Sequence, residues 1–222
     1  MLASAHSSGL DTAMSCVKEE TRGFIKLAGT VTTVLEFFQF AINNILYQRG
    51  LYPPESFTTV KKYNLHLLIA TDNAIKAYLD QIMHQLQCWI SAKTISKLVM
   101  VISTKSTGEI LERWQFDVNL HQHCTSSQKP VSETTLTTEK QTNAEIAAIM
   151  RQITASVSFL PILDDPCTFN ILVYTDKNAL VPPTWVDSDP KLISHNAEQV
   201  KLRSFSTAMH KIDGLVAYKL TE

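Results

Sequence analysis

TVTTVLEFFQFAINNILYQRG, residues 30–50, is the strongest structural signal in this sequence. Its apolar side chains recur at helical spacing while polar side chains take the other side, which predicts an amphipathic helix packed on a core. The apolar face consists of Val31, Val34, Leu35, Phe38, Ile42, Ile45 and Leu46. Gly50 ends this helix because glycine supplies a C-terminal stop, and Pro53 and Pro54 block its continuation.

Two further helices follow from the same periodicity. The second begins near Thr71 and Asp72, both good capping residues. Its apolar face consists of Ile75, Leu79, Ile82, Leu86 and Trp89 or Ile90. The third begins at TNAE, residues 142–145, which has the spacing of a capping box, and Pro161 stops it. Its apolar stripe consists of Ile146, Ile149, Met150, Ile153 and Val157.

Strand patterns lie between and after these helices. Residues 97–103 are apolar and β-branched, and STG at 106–108 turns the chain into a second strand over 109–120. In that strand the residues expected on the buried face are Trp114, Phe116, Val118 and Leu120. Further strands are expected at 168–174, at 199–206 and at 209–220, the last broken at Gly214. The sequence therefore predicts an α+β fold with three helices packed on an antiparallel sheet.

Composition excludes several classes of function. The chain has 222 residues, of which 45% are hydrophobic and 18% charged, and its formal net charge is −1. This balance argues against a nucleic-acid-binding protein, which needs a basic surface, and against a polybasic membrane anchor. The longest aliphatic run, residues 98–102, is far shorter than the roughly 20 residues of a membrane-spanning helix. We therefore expect a soluble intracellular protein that neither binds nucleic acid nor inserts into a membrane.

Two polar segments stand outside the predicted elements. Residues 1–22 are rich in Ser, Thr, Ala and charge, which predicts a disordered N-terminal tail. Residues 121–138 are also polar and are expected to form a loop. The four cysteines, at 16, 88, 124 and 167, are widely spaced without a CxxC pair, so we interpret them as free thiols.

No motif for catalysis or for a cofactor is evident. The sequence has no GxxxxGK[ST], GxGxxG or GxSxG pattern. His121, His123 and Cys124 could each bind a metal, but no second ligand pair stands at a usual spacing, and a solvated loop is the simpler interpretation. His210 with Asp213 could form half of a catalytic pair in a small hydrolase, although no activated nucleophile accompanies them.

Paired-carboxylate catalysis is also unsupported. Glu109 and Glu112 are three residues apart in a predicted strand, so their side chains should point to opposite faces of the sheet. We therefore expect neither enzymatic activity nor a cofactor.

Several runs of sequence carry a more specific resemblance. They are EFFQFAINNILYQRG at 36–50, LERWQF at 111–116, IMRQITA at 149–155 followed by FLP at 159–161, and LRSF at 202–205 with MHK at 209–211. Together they resemble the HORMA-domain family, in order, over about residues 24–220, and especially its members in the spindle assembly checkpoint. The N-terminal tail, the loop at 121–138 and the last residues depart from the family pattern.

The resemblance implies a particular fold and mode of binding. Residues 23–222 would form the HORMA domain, with a mobile C-terminal "safety belt" over about residues 175–222. The belt would wrap around an extended peptide of a partner, which adds a strand to the sheet. Two folded states are implied: in the open state the C-terminal strands cover the peptide site, and in the closed state they move aside and re-pair. Without residues 209–222 the protein would fold but not retain the peptide.

The resemblance also implies a function and partners. The protein would sequester the activator of the anaphase-promoting complex and so delay anaphase. Other implied partners are a coiled-coil kinetochore receptor, a checkpoint kinase-like scaffold, an adaptor that mimics the closed state, an AAA+ remodelling ATPase and a second copy of the chain. The implied location is the nucleus and cytoplasm, with kinetochores in mitosis and the nuclear envelope in interphase. The alternative is a HORMA adaptor of another pathway, either as a translesion polymerase subunit or on the meiotic chromosome axis.

Specific residues match functional positions of the family. The surface for dimerisation and for partners would include Arg151, Gln152 and Phe159. Helical geometry places Arg151 and Gln152 on the outward side of the third helix. Residues implied in the peptide-binding strand or in control of the two states are Phe169, Ile171, Val173, Leu27, Trp89, Trp114 and Tyr218. Leu27 is expected just before the first helix and would bias the two states.

Overall fold

The computed structural model describes residues 2–5, 24–121 and 131–220. Within these ranges the helices are α1 (Phe24–Gln48), α2 (Asn73–Ser91) and α3 (Val131–Ala155). The strands are β1 (Leu2–Ala5), β2 (Phe57–Lys62), β3 (Leu65–Ala70), β4 (Ile95–Thr104), β5 (Ile110–Leu120), β6 (Cys167–Thr175), β7 (Trp185–Asp187), β8 (Ala197–Ser206) and β9 (His210–Lys219). None of the helices in the described ranges is long and apolar enough to cross a membrane.

Seven of the strands form one antiparallel sheet. Their order is β7-β1-β6-β4-β5-β9-β8, so β1 lies between β7 and β6 near one edge, and β8 forms the other edge. β2 and β3 form a separate hairpin. The hairpin turns at Tyr63 and Asn64, whose φ angles of 50° and 55° suit the positive values that two-residue hairpin loops need.

The core lies between the helices and one face of the large sheet. Phe37 on α1 contacts Phe116 of β5 and Phe205 of β8, with ring centroids 5.4 Å and 4.8 Å apart. All three rings are buried. These contacts hold α1 across the C-terminal strands, and they explain why the run at 30–50 is so strongly apolar. A small second cluster, of Val99, Val101 and Leu172, lies apart from this core.

The predicted second helix is confirmed in both its start and its buried face. The Asp72 carboxylate accepts hydrogen bonds from the backbone N–H groups of Ala74 and Ile75, at 2.9 Å and 3.0 Å. This is the capping arrangement that the sequence predicts. The buried residues of α2 are Ile75, Leu79, Ile82, Leu86, Trp89 and Ile90.

The third helix begins earlier than predicted. Thr142 and Glu145 do not cap it, because their side chains bind the backbone of Ser206 on β8 instead. The helix starts at Val131, so 131–138 is not loop, while 122–130 lies outside the described residues. At the other end α3 stops at Ala155, which leaves Val157 exposed rather than in the buried stripe.

Three further sequence predictions are corrected. α1 begins at Phe24, so Leu27 lies within the helix, although its side chain is outside the described part of the chain. Leu120 is exposed at the end of β5. β9 is continuous through Gly214. A Cβ at position 214 would lie 3.0 Å from that of Leu202, where β8 bulges, so this glycine makes room for the neighbouring strand.

The N-terminal region also differs from the expected tail. Residues 2–5 form β1, because strands on both sides supply partners for its backbone. Residues 6–23 lie outside the described ranges, so the prediction for them stays a prediction.

Candidate peptide-binding site

The edge of β6 that faces away from β4 is the candidate site. β1 pairs with β6 through Leu2–Tyr174, Ala3–Val173 and Ser4–Leu172. On its other side the same short strand pairs with β7. We call the space between β6 and β7 the slot. Its walls are backbone, so any extended peptide that lacks proline at the paired positions satisfies their hydrogen bonds.

The predicted peptide-binding residues of β6 lie in the core. Ile171 and Val173 are fully buried, and the Phe169 ring packs against the rings of Tyr52 and Tyr78, at 6.2 Å and 5.7 Å. These side chains therefore fix β6 against the helices. What β6 presents to an added strand is its backbone edge, and a role for the three side chains in peptide contact stays a prediction.

A long connection, residues 176–196, leaves β6, runs through β7 and returns to the sheet at β8. We call it the enclosing segment. Its first half is fixed by Trp89 on α2, whose indole Nε1–H donates to the carbonyl oxygen of Leu180 at 2.9 Å. The same indole packs edge-on against Trp185 of β7, with centroids 4.9 Å apart. Trp89 therefore anchors the enclosing segment as well as filling the core.

The second half of the enclosing segment is held by Arg113, which sequence reasoning missed. The Arg113 guanidinium donates through Nε to the Pro190 carbonyl at 3.4 Å and through Nη2 to the Tyr174 hydroxyl at 3.2 Å. Arg113 lies opposite Val101, so both side chains share a face of the sheet. Since Val101 lies outside the main core, the segment crosses the face opposite the helices. The sequence did contain an indication of its importance, since Arg113 lies within the LERWQF run that carries the family resemblance.

α3 holds the edge strand β8. The Gln152 side-chain oxygen accepts from the Arg203 backbone N–H at 2.6 Å. Glu145 and Thr142 bind the N–H and the carbonyl of Ser206, at 3.0 Å and 2.7 Å. These contacts satisfy part of the open edge of the sheet. Gln152 is therefore half-exposed beside the edge strand, and its role in partner contact stays a prediction.

The other two residues of the predicted partner surface are accessible. Arg151 is exposed, and Phe159 is 41% exposed with its ring 6.0 Å from that of Tyr218. The Tyr218 hydroxyl donates to Glu198 at 2.7 Å, which raises the pKa of the phenol. The fold thus brings Phe159 and Tyr218 together, while Gln152 is hydrogen-bonded to the backbone of β8. Contact of these residues with a partner stays a prediction.

Trp114 belongs to a buried polar cluster. Its indole N–H donates to Glu112 at 3.0 Å, and the other oxygen of Glu112 accepts from Arg49 Nε at 2.7 Å. Arg49 also donates to the Pro161 carbonyl, so the end of α1, β5 and the chain after α3 meet here. Burial raises the pKa of Glu112, and Arg49 opposes that rise. Arg49 and Glu112 lie in two of the runs that carry the family resemblance.

The residues considered for catalysis do not form a site. His210 is buried, and Asp213 three positions along β9 pairs instead with Lys211 and Asn119. Burial is the main cause that lowers the pKa of His210, and Lys93 and His121 add to it. Among the described residues no group of three His, Cys, Asp or Glu side chains could hold a metal ion. His123 and Cys124 lie outside those residues.

Comparison with known proteins agrees with this architecture. The model of the HORMA domain matches residues 30–210. The mitotic spindle checkpoint component mad2 of Schizosaccharomyces pombe is 50% identical over 87% of this chain and 94% of its own length. The human mitotic spindle assembly checkpoint protein MAD2A is 47% identical over 88% of this chain and 93% of its own length.

A solved structure is similar at the same level. A chain in the crystal structure of the mitotic checkpoint complex superposes with a TM-score of 0.78 and 48% identity, over 86% of this chain and 99% of that one. The chain therefore belongs to the HORMA-domain family and is similar over most of its length to the spindle checkpoint components of that family.

Proposed function

We propose that this chain is a spindle assembly checkpoint adaptor that holds an extended peptide of its partner as a strand in the slot. The observation that carries the proposal is the pairing of an extended segment on both sides, with β6 and with β7. Strand addition of this kind gives affinity through backbone hydrogen bonds. The names of the relatives and of the checkpoint complex structure support the pathway.

Retention of the peptide depends on the enclosing segment as part of the safety belt over about residues 175–222. Trp89 and Arg113 hold this segment at Leu180 and Pro190. Its two ends are fixed by β6 and by the β8–β9 pair. An internal stretch of a partner can enter or leave such a ring only when one of these attachments opens. Release should therefore be slow compared with release from an open groove.

The strand order supports a closed state. β9 pairs with β5 over nine positions, from Glu112–Tyr218 to Leu120–His210, at a distance from the slot. In the open state the C-terminal strands would instead cover the β6 edge. Conversion would break this ladder, so we expect it to take minutes to hours, well beyond the usual time of allosteric transitions. Leu27 and Tyr218 are proposed to bias the two states.

The proposed partners are those that the resemblance implies. They are the activator of the anaphase-promoting complex, a coiled-coil kinetochore receptor, a checkpoint kinase-like scaffold, a closed-state-mimicking adaptor, an AAA+ remodelling ATPase and a second, open copy of the chain. Arg151 and Phe159 are accessible for such contacts. We propose action in the nucleus and cytoplasm, at kinetochores in mitosis and at the nuclear envelope in interphase. Enzymatic activity is not expected.

Co-purification from mitotic cells tests the proposal. The tagged chain should recover the activator of the anaphase-promoting complex and the kinetochore receptor. A variant with proline at Val173 should lose both partners, because this proline removes the β6 backbone N–H that points away from β4 and into the slot. Circular dichroism must first establish that the variant folds. Recovery of a translesion polymerase subunit or of meiotic axis proteins, in place of the checkpoint partners, would instead support the alternative pathways.

A further inference from the structure

The slot is already occupied by this chain's own residues Leu2–Ala5. Ala3 is paired with Val173 on one side and with Asp187 on the other, and Ser4 with Leu172 and Val186. The backbone groups that a partner strand would use are thus engaged by β1. Nothing in the family resemblance assigns a role to this segment, since it lies outside the matched residues 30–210.

The composition of β1 suits a strand that can be displaced. Leu, Ala, Ser and Ala contain no proline, so every backbone N–H is available to one of the two neighbouring strands. Alanine is depleted in strands, so two of the four residues favour this conformation only weakly. β1 also pairs with only the 172–174 part of the nine-residue strand β6. A longer peptide with larger side chains would therefore make more contacts along the same edge.

The length of the connection allows the segment to reach the slot from its own domain. Residues 6–23 separate β1 from α1. These eighteen residues can span up to about 60 Å when extended. A tethered segment competes at an effective concentration of about 1 mM, which a free peptide must overcome.

We propose that residues 2–5 are a built-in competitor that occupies the peptide slot in cis and must be displaced when a partner peptide binds. The proposal rests on the proposed function, because it assigns the slot two alternative occupants. Its consequence is a raised threshold for partner binding, which is set by the affinity of the chain for its own N-terminal strand.

The first experiment asks whether the segment lies in the slot of its own chain. The full-length chain with its four cysteines changed to serine carries Ala3→Cys and Asp187→Cys, which lie opposite each other on β1 and β7. Opposed Cα atoms in an antiparallel pair are about 4.5–5.5 Å apart, within reach of a disulfide. The control carries Ala3→Cys and Lys201→Cys, with Lys201 on the opposite edge of the same sheet.

Oxidation should give an intramolecular disulfide in the test variant and none in the control, as judged by mass spectrometry and non-reducing electrophoresis. Disulfide-linked dimers would show that a second copy fills the slot and would overturn occupation in cis. Absence of any 3–187 disulfide would overturn occupation altogether.

The second experiment measures competition. The probe is a fluorescent synthetic peptide of residues 1–10, added to the full-length chain with Ala3→Pro and Ser4→Pro. Proline removes the two central N–H donors of β1 and empties the slot. Its control, Ser7→Pro and Ser8→Pro, lies outside β1. We expect the probe to bind the Ala3/Ser4 variant at least about ten-fold more tightly than the control. Equal affinities would overturn the proposal.

The activator of the anaphase-promoting complex serves as a second probe of the same proteins. Tighter binding to the Ala3/Ser4 proline variant than to its control supports competition for the partner site. Equal binding to both would overturn the competition while leaving the proposed function intact. Binding to neither would overturn the proposed function, and the disulfide would still report where residues 2–5 lie.

Discussion

The indole Nε1–H of Trp89 donates a 2.9 Å hydrogen bond to the carbonyl oxygen of Leu180, ninety-one positions later in the chain. This bond joins the helical layer to the enclosing segment within a few residues of β7. Trp89 and Trp185 also pack edge-on, an arrangement that adds stability beyond the burial of their area. α2 therefore positions one wall of the slot.

Trp89→Phe should loosen the enclosing segment. The substitution keeps an aromatic ring but removes the donor to Leu180, at a net cost of about 1 kcal/mol for the bond. We expect faster amide hydrogen exchange over residues 176–187, measured by mass spectrometry. Trp114→Phe is the matched control, since that indole donates to Glu112 within β5. Equal acceleration of 176–187 in both variants would show that Trp89 acts only through general stability.

The neighbours Arg151 and Gln152 should respond in different ways. Arg151 is exposed, so Arg151→Glu should change the free energy of unfolding by less than about 0.5 kcal/mol. It should nonetheless keep the protein monomeric in size-exclusion chromatography at a concentration where the parent dimerises, and leave binding of the kinetochore receptor unchanged. Dimerisation of Arg151→Glu at that concentration would remove this residue from the proposed partner surface.

Gln152→Ala in the same helix should cost about 1 kcal/mol of unfolding free energy, because the Arg203 N–H loses its acceptor. Exchange at Arg203 should accelerate. If Gln152→Ala is as neutral as Arg151→Glu in urea denaturation, the hydrogen bond to β8 contributes nothing measurable.

Arg49 and Glu112 should show strong coupling in a double-mutant cycle. Both side chains are buried, so Arg49→Met alone leaves an uncompensated carboxylate and should cost about 3–5 kcal/mol. Glu112→Gln added to it should restore part of that loss, since the remaining amide carries no charge. Chemical denaturation of the parent, both single variants and the double variant measures the coupling. Additive costs would contradict a direct interaction in the folded protein.

His210 should make the protein less stable in acid. The pKa of His210 in the folded state is lowered by burial and by nearby Lys93 and His121. Between this lowered pKa and the pKa of the unfolded chain, the unfolded chain therefore binds a proton that the folded chain does not bind. The free energy of unfolding should fall as the pH drops below the unfolded value of about 6.5, by at most about 1.4 kcal/mol per pH unit, until the lowered pKa is passed. Urea denaturation from pH 8 to pH 5 should show a flatter profile for His210→Gln. His66→Gln, at an exposed position, should keep the parent's profile. A parental profile in His210→Gln would assign the pH dependence to other groups.

Sequence periodicity predicted the features that depend on residues close together in the chain. The buried face of α2 and its capping by Asp72 follow from residues within one helix, and both are confirmed. On α1 the predicted apolar residues are buried except for Leu35, which is half-buried, and Asn43 is buried as well because its side chain accepts from the Ala70 backbone N–H. The start of α3 was wrong because Thr142 and Glu145 look like a helix cap in sequence but bind Ser206, more than sixty positions away. The hydrogen bond from the Arg203 backbone N–H to Gln152 could not be predicted for the same reason, since the two residues are fifty-one positions apart.

The slot itself was beyond sequence reasoning. β1 consists of Leu, Ala, Ser and Ala, which show no strand pattern, and it forms because β6 and β7 supply hydrogen-bonding partners on both sides. Arg113 and Glu112 looked like ordinary charged residues of an alternating strand. Only the fold reveals that one reaches Pro190 and the other Arg49.

Deletion of the C-terminal strands is a poor test of peptide retention. β9 lies between β5 and β8, and its side chains at Ile212 and Val216 are fully buried. Removing residues 209–222 would expose the core, so the expectation that the truncated protein stays folded does not suit this architecture. A disulfide that holds β9 in place, without deleting any strand, can test retention of the peptide in a protein that stays folded.

The most direct test of the account is a disulfide lock across β5 and β9. Asp117→Cys and Asp213→Cys lie opposite each other, in a chain whose native cysteines are serine. Binding and release of the anaphase-promoting complex activator are measured with the disulfide formed either before or after the partner is added. We expect oxidation before addition to block binding, oxidation afterwards to block release, and reduction to reverse both effects. Binding at the same rate with the disulfide closed and open would contradict the claim that the enclosing segment must open to admit a peptide.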